Sequence, residues 1–216
     1  KKMAKINQSL WTFSGRLGDQ VFCNGGQRGP YVRKRTSHKN RTPTEAQIKV
    51  RLKLAKANLF LNTFRQIIEV CWKDPNRKMY PFDAAMSHLI KNGIDVSGNE
   101  GEIIHQEVRL SSGRLIRVFD PSFELDNGEA PIGWQSLGLL SGQQHVEEAI
   151  VAFYNEDMEA GLVVRDKATR GDCLLLETLP AGFLTGKIHA YLFFLSRSKK
   201  HASPTTYLGY AFNNNI

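Results

Sequence analysis

The run Ile188-His189-Ala190-Tyr191-Leu192-Phe193-Phe194-Leu195-Ser196 is too short to cross a membrane and too apolar to lie open on a surface. In an extended chain Ile188, Ala190, Leu192 and Phe194 point to one side, and His189, Tyr191, Phe193 and Leu195 to the other. Both sides are mostly apolar, so this strand is covered on both faces and lies at the centre of a layered structure. Working outward, further short runs recur at Ile103–Leu110, Arg114–Phe119, Ala149–Tyr154, Gly161–Arg165, Cys173–Thr178 and Thr206–Phe212. Turn residues separate them at the intervals of an antiparallel β-sandwich. The expectation for residues 103–216 is an immunoglobulin- or fibronectin-like sandwich, within a chain of α+β class.

Upstream the pattern changes. Residues 3–36 read as short strands punctuated by glycine: Leu10–Phe13, Asp19–Cys23 and Pro30–Arg35, with turns at Ser14–Gly18 and Gly25-Gly26. A helix start follows at Thr42-Pro43-Thr44-Glu45, with Thr42 as the expected cap and Glu45 at the third helical position. Val50, Leu54, Ala57, Leu61, Phe64, Ile68 and Cys71 then recur at spacings of four and three. They predict one long amphipathic helix ending near Trp72 at Asp74-Pro75-Asn76. A shorter helix is expected over Phe82–Lys91, closed by Asn92-Gly93. The polar stretch Asp95–Glu102 divides the expected domains, a basic strand-and-helix module over 1–95 and the sandwich over 103–216.

The chain has 216 residues, 41% of them hydrophobic and 23% charged, which is ample for a packed core. That composition excludes a disordered tail or a collagen repeat. Its net charge of +8 is unevenly spread. Residues 1–80 hold 18 Lys and Arg against 4 Asp and Glu, a charge of +14, and residues 81–216 hold 11 against 17, a charge of −6. A basic half of this kind implies an acidic counterpart: nucleic acid, another polyanion, or the acidic surface of a protein. Cys23, Cys71 and Cys173 are too few and too dispersed for a disulfide framework or a zinc site, which suits a reducing, cytoplasmic setting. No run has the length of a membrane span or the form of a secretory signal, and Met3 reads as the natural start.

Motifs for catalysis do not assemble. Gly15-x-x-Gly18 and Gly25-Gly26-x-x-Gly29 lack the spacing of a dinucleotide loop, and Gly186-Lys187 lacks the rest of a phosphate loop. His38, His88, His105, His145, His189 and His201 are scattered without ligand spacing, and no G-x-S-x-G elbow is present. The expectation is a protein that is not an enzyme and uses no cofactor or metal. What remains is the cluster Arg28, Arg33, Lys34, Arg35, Lys39, Arg41, Lys49, Arg51, Lys53 and Lys56, opposed only by Glu45. Dense cations of this kind suit phosphate contacts, whose affinity comes from neutralised charge and released counterions. Tyr31 shares a strand face with Arg33 and Arg35, where it can stack on a base or pack on the protein. These residues are the candidate polyanion site. The alternative function is structural, an assembly component whose basic part meets acidic surfaces of another copy, in a homo-oligomer, or of a different protein. Ligand binding by sandwich loops, with Trp134 as a stacking platform, is a third reading.

Met3-Ala4-Lys5-Ile6-Asn7-Gln8, Phe13-Ser14-Gly15-Arg16-Leu17-Gly18, Gly29-Pro30-Tyr31-Val32-Arg33 and Arg41–Arg51 resemble an uncharacterised Bacteroidota family, a domain of unknown function. The resemblance extends through Phe82–Ser87 to Tyr207-Leu208-Gly209. The family usually has a form closer to N-P-R-T where this chain has Arg41-Thr42-Pro43-Thr44, so the exact helix cap differs. Residues 13–51 also resemble, more loosely, short proteins encoded near phage structural genes. That likeness implies assembly on a particle or genome and brings no catalytic residues with it.

Overall fold

In the computed structural model, the described residues are 4–5, 14–24, 29–36, 42–73, 79–97, 101–135 and 146–212. The expected strand Leu10–Phe13, the turn at Gly25-Gly26 and the helix stop at Asp74-Pro75-Asn76 lie outside them. Two compact units divide the chain, Lys1–Pro43 and Thr44–Ile216. The first contains β1 (Ala4–Lys5), β2 (Gly15–Leu17), β3 (Gln20–Cys23) and β4 (Tyr31–Lys34), joined as one antiparallel sheet in the order β1-β4-β3-β2. Its β2–β3 turn uses Gly18 at φ +58°, a left-handed conformation that favours glycine.

The second unit is of α+β class with antiparallel sheets. It begins with α1 (Glu45–Thr63), α2 (Arg65–Cys71) and α3 (Pro81–Asn92). The cap of α1 is Thr44 rather than Thr42. Its hydroxyl accepts from the Gln47 N–H at 3.3 Å, and its own N–H donates to Gln47 Oε1 at 3.1 Å, closing a capping box. The single long helix expected to Trp72 is broken at Phe64. The Thr63 hydroxyl donates to the Phe60 carbonyl at 2.7 Å, a local side-chain bond of the kind that bends helices. From Ala57 onward the apolar stripe is buried as expected, whereas Val50 (61% exposed) and Leu54 (50% exposed) stand open at its start.

Next come a short ladder, β5 (Ile94–Asp95) with β6 (Glu102–Ile103), and then seven strands. These are β7 (Phe119–Phe123), β8 (Glu129–Gln135), β9 (Glu148–Asn155), β10 (Ala160–Val164), β11 (Leu174–Thr178), β12 (Lys187–Leu195) and β13 (Thr206–Phe212). They pair in two sheets, β10-β9-β12-β13 and β11-β8-β7. The Asp95–Glu102 stretch joins β5 to β6 inside this unit. Two further expectations need correcting. Ile103–Leu110 holds a 3₁₀ turn at His105–Glu107 in place of a continuous strand, and the strand expected at Arg114–Phe119 starts at Phe119. The sequence reading missed β8, because Pro131 and Gly133 argue against a paired strand. A bulge in β7 between Phe119 and Ser122 accommodates the irregularity opposite it.

The twofold covering read from Ile188–Leu195 is present. Tyr191, Phe193 and Leu195 join Ile150, Ala152 and Tyr154 of β9 beneath Phe60, Leu61, Phe64 and Ile68 of the helices. Ile188, Ala190, Leu192 and Phe194 pack on the other side with Ile132, Trp134 and Leu175 of the three-stranded sheet. Trp134 is 4% exposed and its indole N–H donates to the Arg170 carbonyl at 2.8 Å, so burial removes the stacking-platform reading. At the edge of that core the Arg170 guanidinium meets Glu147 at 2.6 Å, both side chains almost fully buried, and lies 3.8 Å from the centre of the Phe194 ring. Arg170 also donates to the Ile116 carbonyl at 2.7 Å.

Removing one member of such a pair strands a buried charge. Glu147→Gln should cost about 3–5 kcal/mol in urea unfolding. The double variant Glu147→Gln/Arg170→Met should cost less than the sum of the two single changes, because no lone charge remains.

Candidate functional site

Cross-strand partners share a sheet face, so the register of the first unit sorts its side chains. Val21 pairs with Arg16 on one side and with Arg33 on the other. The three form a row across β2, β3 and β4, with the two arginines about 10 Å apart at two strand spacings. Tyr31, opposite Cys23, lies two residues before Arg33 on this same face. The Arg35 N–H donates to the Asp19 carbonyl at 2.7 Å, which continues the ladder one residue beyond β4. The face therefore carries Arg16, Arg33 and Arg35 around a tyrosine. Lys34, opposite Gln20, belongs to the reverse face.

All three arginines are exposed, while Tyr31, Val21 and Cys23 are half-buried. The Arg16 Nε–H donates to the Gly18 carbonyl at 3.3 Å, which holds the guanidinium to the turn. No ion pair engages these arginines among the described residues. Arg16 was absent from the sequence-derived set. The hairpin turn at Gly18-Asp19 was the signal that could have placed it beside Arg33.

The other members of that set divide. Lys49 and Arg51 are exposed and Lys53 is half-buried on α1, in the second unit. Lys56 is bound to Glu159 at 2.9 Å, so its charge is already matched. Arg28, Lys39 and Arg41 lie outside the described residues. Other cations of the second unit are also paired: Arg165 with Glu148, Lys167 with Glu177 and Lys187 with Glu156.

A second constellation escaped the sequence reading. On the helix side of the four-stranded sheet, the rings of His105 and His189 stack with centroids 3.4 Å apart and planes 14° apart. His105 Nδ1 meets the Tyr191 hydroxyl at 2.5 Å, and His189 Nδ1 meets the Tyr207 hydroxyl at 2.9 Å. His189 Nε2 lies 3.2 Å from Glu156 Oε2. With Glu156 as the acceptor, His189 carries its proton on Nε2 and accepts from Tyr207. A bulge brings both nearby tyrosines of β13 here. Tyr207 pairs with Tyr191 and Tyr210 with His189, although residues three apart normally face opposite ways. Gly209 supplies the φ of +115° at this step.

His105, Glu156 and His189 offer ligand atoms within 4.8 Å of one another, the kind of donor set that can hold a transition metal. The stacking opposes this. A metal binds in the plane of an imidazole, and one ion cannot lie in two parallel planes 3.4 Å apart. As it stands the group is a hydrogen-bonded network. Burial, aided by the neighbouring His189, pushes His105 down to about 3. Burial also lowers His189 despite its bond to Glu156, and burial together with Arg109 lowers His88. Burial alone would raise the Glu156 carboxyl, but the His189 bond and the Lys187 charge outweigh it and hold the carboxyl below its usual range. The tyrosines are pushed the other way by burial, Tyr154 and Tyr207 to about 12. None of them is an activated nucleophile.

The sequence pattern of the family of unknown function DUF6266 matches residues 13–209. The chain belongs to this family. That span takes in β2–β4 with Arg16, Arg33 and Arg35, and the network of His105, Glu156, His189 and Tyr207, so the DUF6266 pattern reaches into both units. Among curated proteins there is no match. No helix among the described residues is long and apolar enough to cross a membrane.

The histidines set a pH dependence. Their folded values lie below the unfolded value near 6.5, so their contribution is complete above that pH and is lost as pH falls toward about 3. Glu156, also depressed, acts in the same direction at lower pH. The unfolding free energy should drop by on the order of 2 kcal/mol between pH 7 and pH 5. His105→Phe should flatten that slope in urea titrations run at each pH.

Proposed function

We propose that this chain is a non-enzymatic binding module that contacts nucleic acid or another polyanion through the exposed sheet face of its N-terminal unit. The observation that carries this reading is the register that puts Arg16 and Arg33 either side of Val21, with Arg35 on the same face, none of them matched by a carboxylate among the described residues. Cations of the second unit such as Lys56, Arg165 and Arg170 spend their charge on internal carboxylates. Lys49 and Arg51 on α1 are further candidates for phosphate contact, each considered within its own unit. Three free thiols suit a reducing compartment such as the cytoplasm.

We infer that strands β7–β13 form a fibronectin-like sandwich that serves as the scaffold. The sheet orders β11-β8-β7 and β10-β9-β12-β13 support this, with cores on both faces of the second sheet and the fourth strand paired beside the third. A structural or assembly role is the second reading. It is favoured by the outward face of β11, where Leu174 and Leu176 are each 58% exposed opposite Gly133 and Pro131.

Fluorescence titration against nucleic acid at low and moderate salt tests the first reading. Three phosphate contacts should give a slope in log affinity against log salt of about −2 on a single strand and about −3 on a duplex. Arg16→Glu/Arg33→Glu should abolish the binding and leave the far-ultraviolet circular dichroism unchanged. A salt-independent interaction, or none at low salt, would favour the assembly reading.

A further inference from the structure

The arginine-bearing face is also the face of Tyr31, and the breadth of the sheet limits which nucleic acid can lie on it. At the row Arg16-Val21-Arg33 three strands span about 10 Å, before side chains are counted, because β1 pairs only with Tyr31 and Val32. The major groove of a duplex is about 12 Å wide and admits a helix or a two-stranded ribbon. A face this broad touches a duplex only at its outermost phosphates. Arg16 and Arg33 stand on the outer strands of their row and would reach those phosphates, but the Tyr31 ring would find no base free to stack on it.

A single strand imposes no such limit. Its backbone can run over cations spaced about 7–10 Å apart, the separations of Arg33 from Arg35 along β4 and of Arg16 from Arg33 across the sheet. Its bases are free to turn toward an aromatic ring. Tyr31 is suited to receive one. It is half-buried, which fixes the ring at little further entropic cost, and its cross-strand partners are the small Cys23 in β3 and Lys5 in β1. Val21 and Cys23, both half-buried, add an apolar floor between the cations.

We propose that the ligand of this face is a single-stranded nucleic acid, with phosphates on Arg16, Arg33 and Arg35 and one base stacked on Tyr31. This inference rests on the polyanion reading and narrows it to one ligand class.

The test compares fluorescein-labelled mixed-sequence DNA and RNA single strands with the same strands annealed to their complements. An abasic strand and heparin serve as polyanions without bases. The single strands should bind more tightly than the duplexes, the abasic strand and heparin. Tyr31→Ala should weaken single-strand binding about 5- to 150-fold, the range of one lost base stack, without changing the salt slope. Tyr31→Phe should bind like the parent, because stacking needs the ring and not the hydroxyl. The DNA and RNA arms identify which strand is preferred. Equal affinity for duplex, abasic strand and heparin, or a Tyr31→Ala variant that binds like the parent, would overturn the single-strand assignment and leave the polyanion reading in place. Absence of binding by every probe at low salt would overturn both.

Discussion

The second unit depends on one strand being covered on both faces. Eight of the nine residues of β12 are buried, so the strand contributes to the helix-side core and to the inter-sheet core at once. Burying an apolar side chain gains roughly 1.5–3 kcal/mol, and β12 makes that gain in two directions from one backbone. Its partners follow from this. β9 carries the same double pattern, with Ala149, Val151 and Phe153 against the second sheet and Ile150, Ala152 and Tyr154 beneath the helices. The break at Phe64 fits the same layer. Its ring sits over Gly161, where a Cβ would come within 2.7 Å of ring atoms, so a larger residue there would push the helix off the sheet.

The charged groups follow a related division. Within the second unit, cations near the core are bonded to carboxylates, Arg170 with Glu147 being the most enclosed pair. The first unit has no buried residue among those described, and its described arginines, Arg16, Arg33 and Arg35, are exposed. Part of the excess positive charge of residues 1–80 therefore lies exposed on this sheet, as Arg16, Arg33, Lys34 and Arg35, and part on α1, as Lys49 and Arg51, while the paired charges elsewhere do structural work.

Much of the architecture was legible because periodicity reports burial directly. Ile188–Leu195 announced a two-faced strand, and Ala149–Tyr154, Gly161–Arg165, Cys173–Thr178 and Thr206–Phe212 fell within a residue or so of β9, β10, β11 and β13. The errors arose where local chemistry competes with pattern. Pro131 hid β8, Thr63 broke a helix that its apolar spacing predicted whole, and Val50 and Leu54 obeyed the helical period without being covered. The site was less legible. Tyr31, Arg33 and Arg35 could be assigned one face from alternation alone, but Arg16 joins them only through the hairpin register. His105 and His189 are 84 positions apart in the chain, and no spacing rule brings them into a stack.

The bulge at Gly209 makes strand length part of the message carried by β13. Before the bulge the strand is in one phase and after it in the other, so Tyr207 and Tyr210 meet the same imidazole from two phases of a single strand. Pairing that ran straight on from Tyr207, without a residue set aside at the bulge, would turn every later side chain over, exchanging Tyr210 and Phe212 with Ala211. Composition would not change, yet the lining of the network would. One residue fewer between Tyr207 and Tyr210 would close the bulge and leave both rings at His189, whereas one more would have to be set aside in turn, so the register of β13 is inherited as a count rather than as a set of residue types.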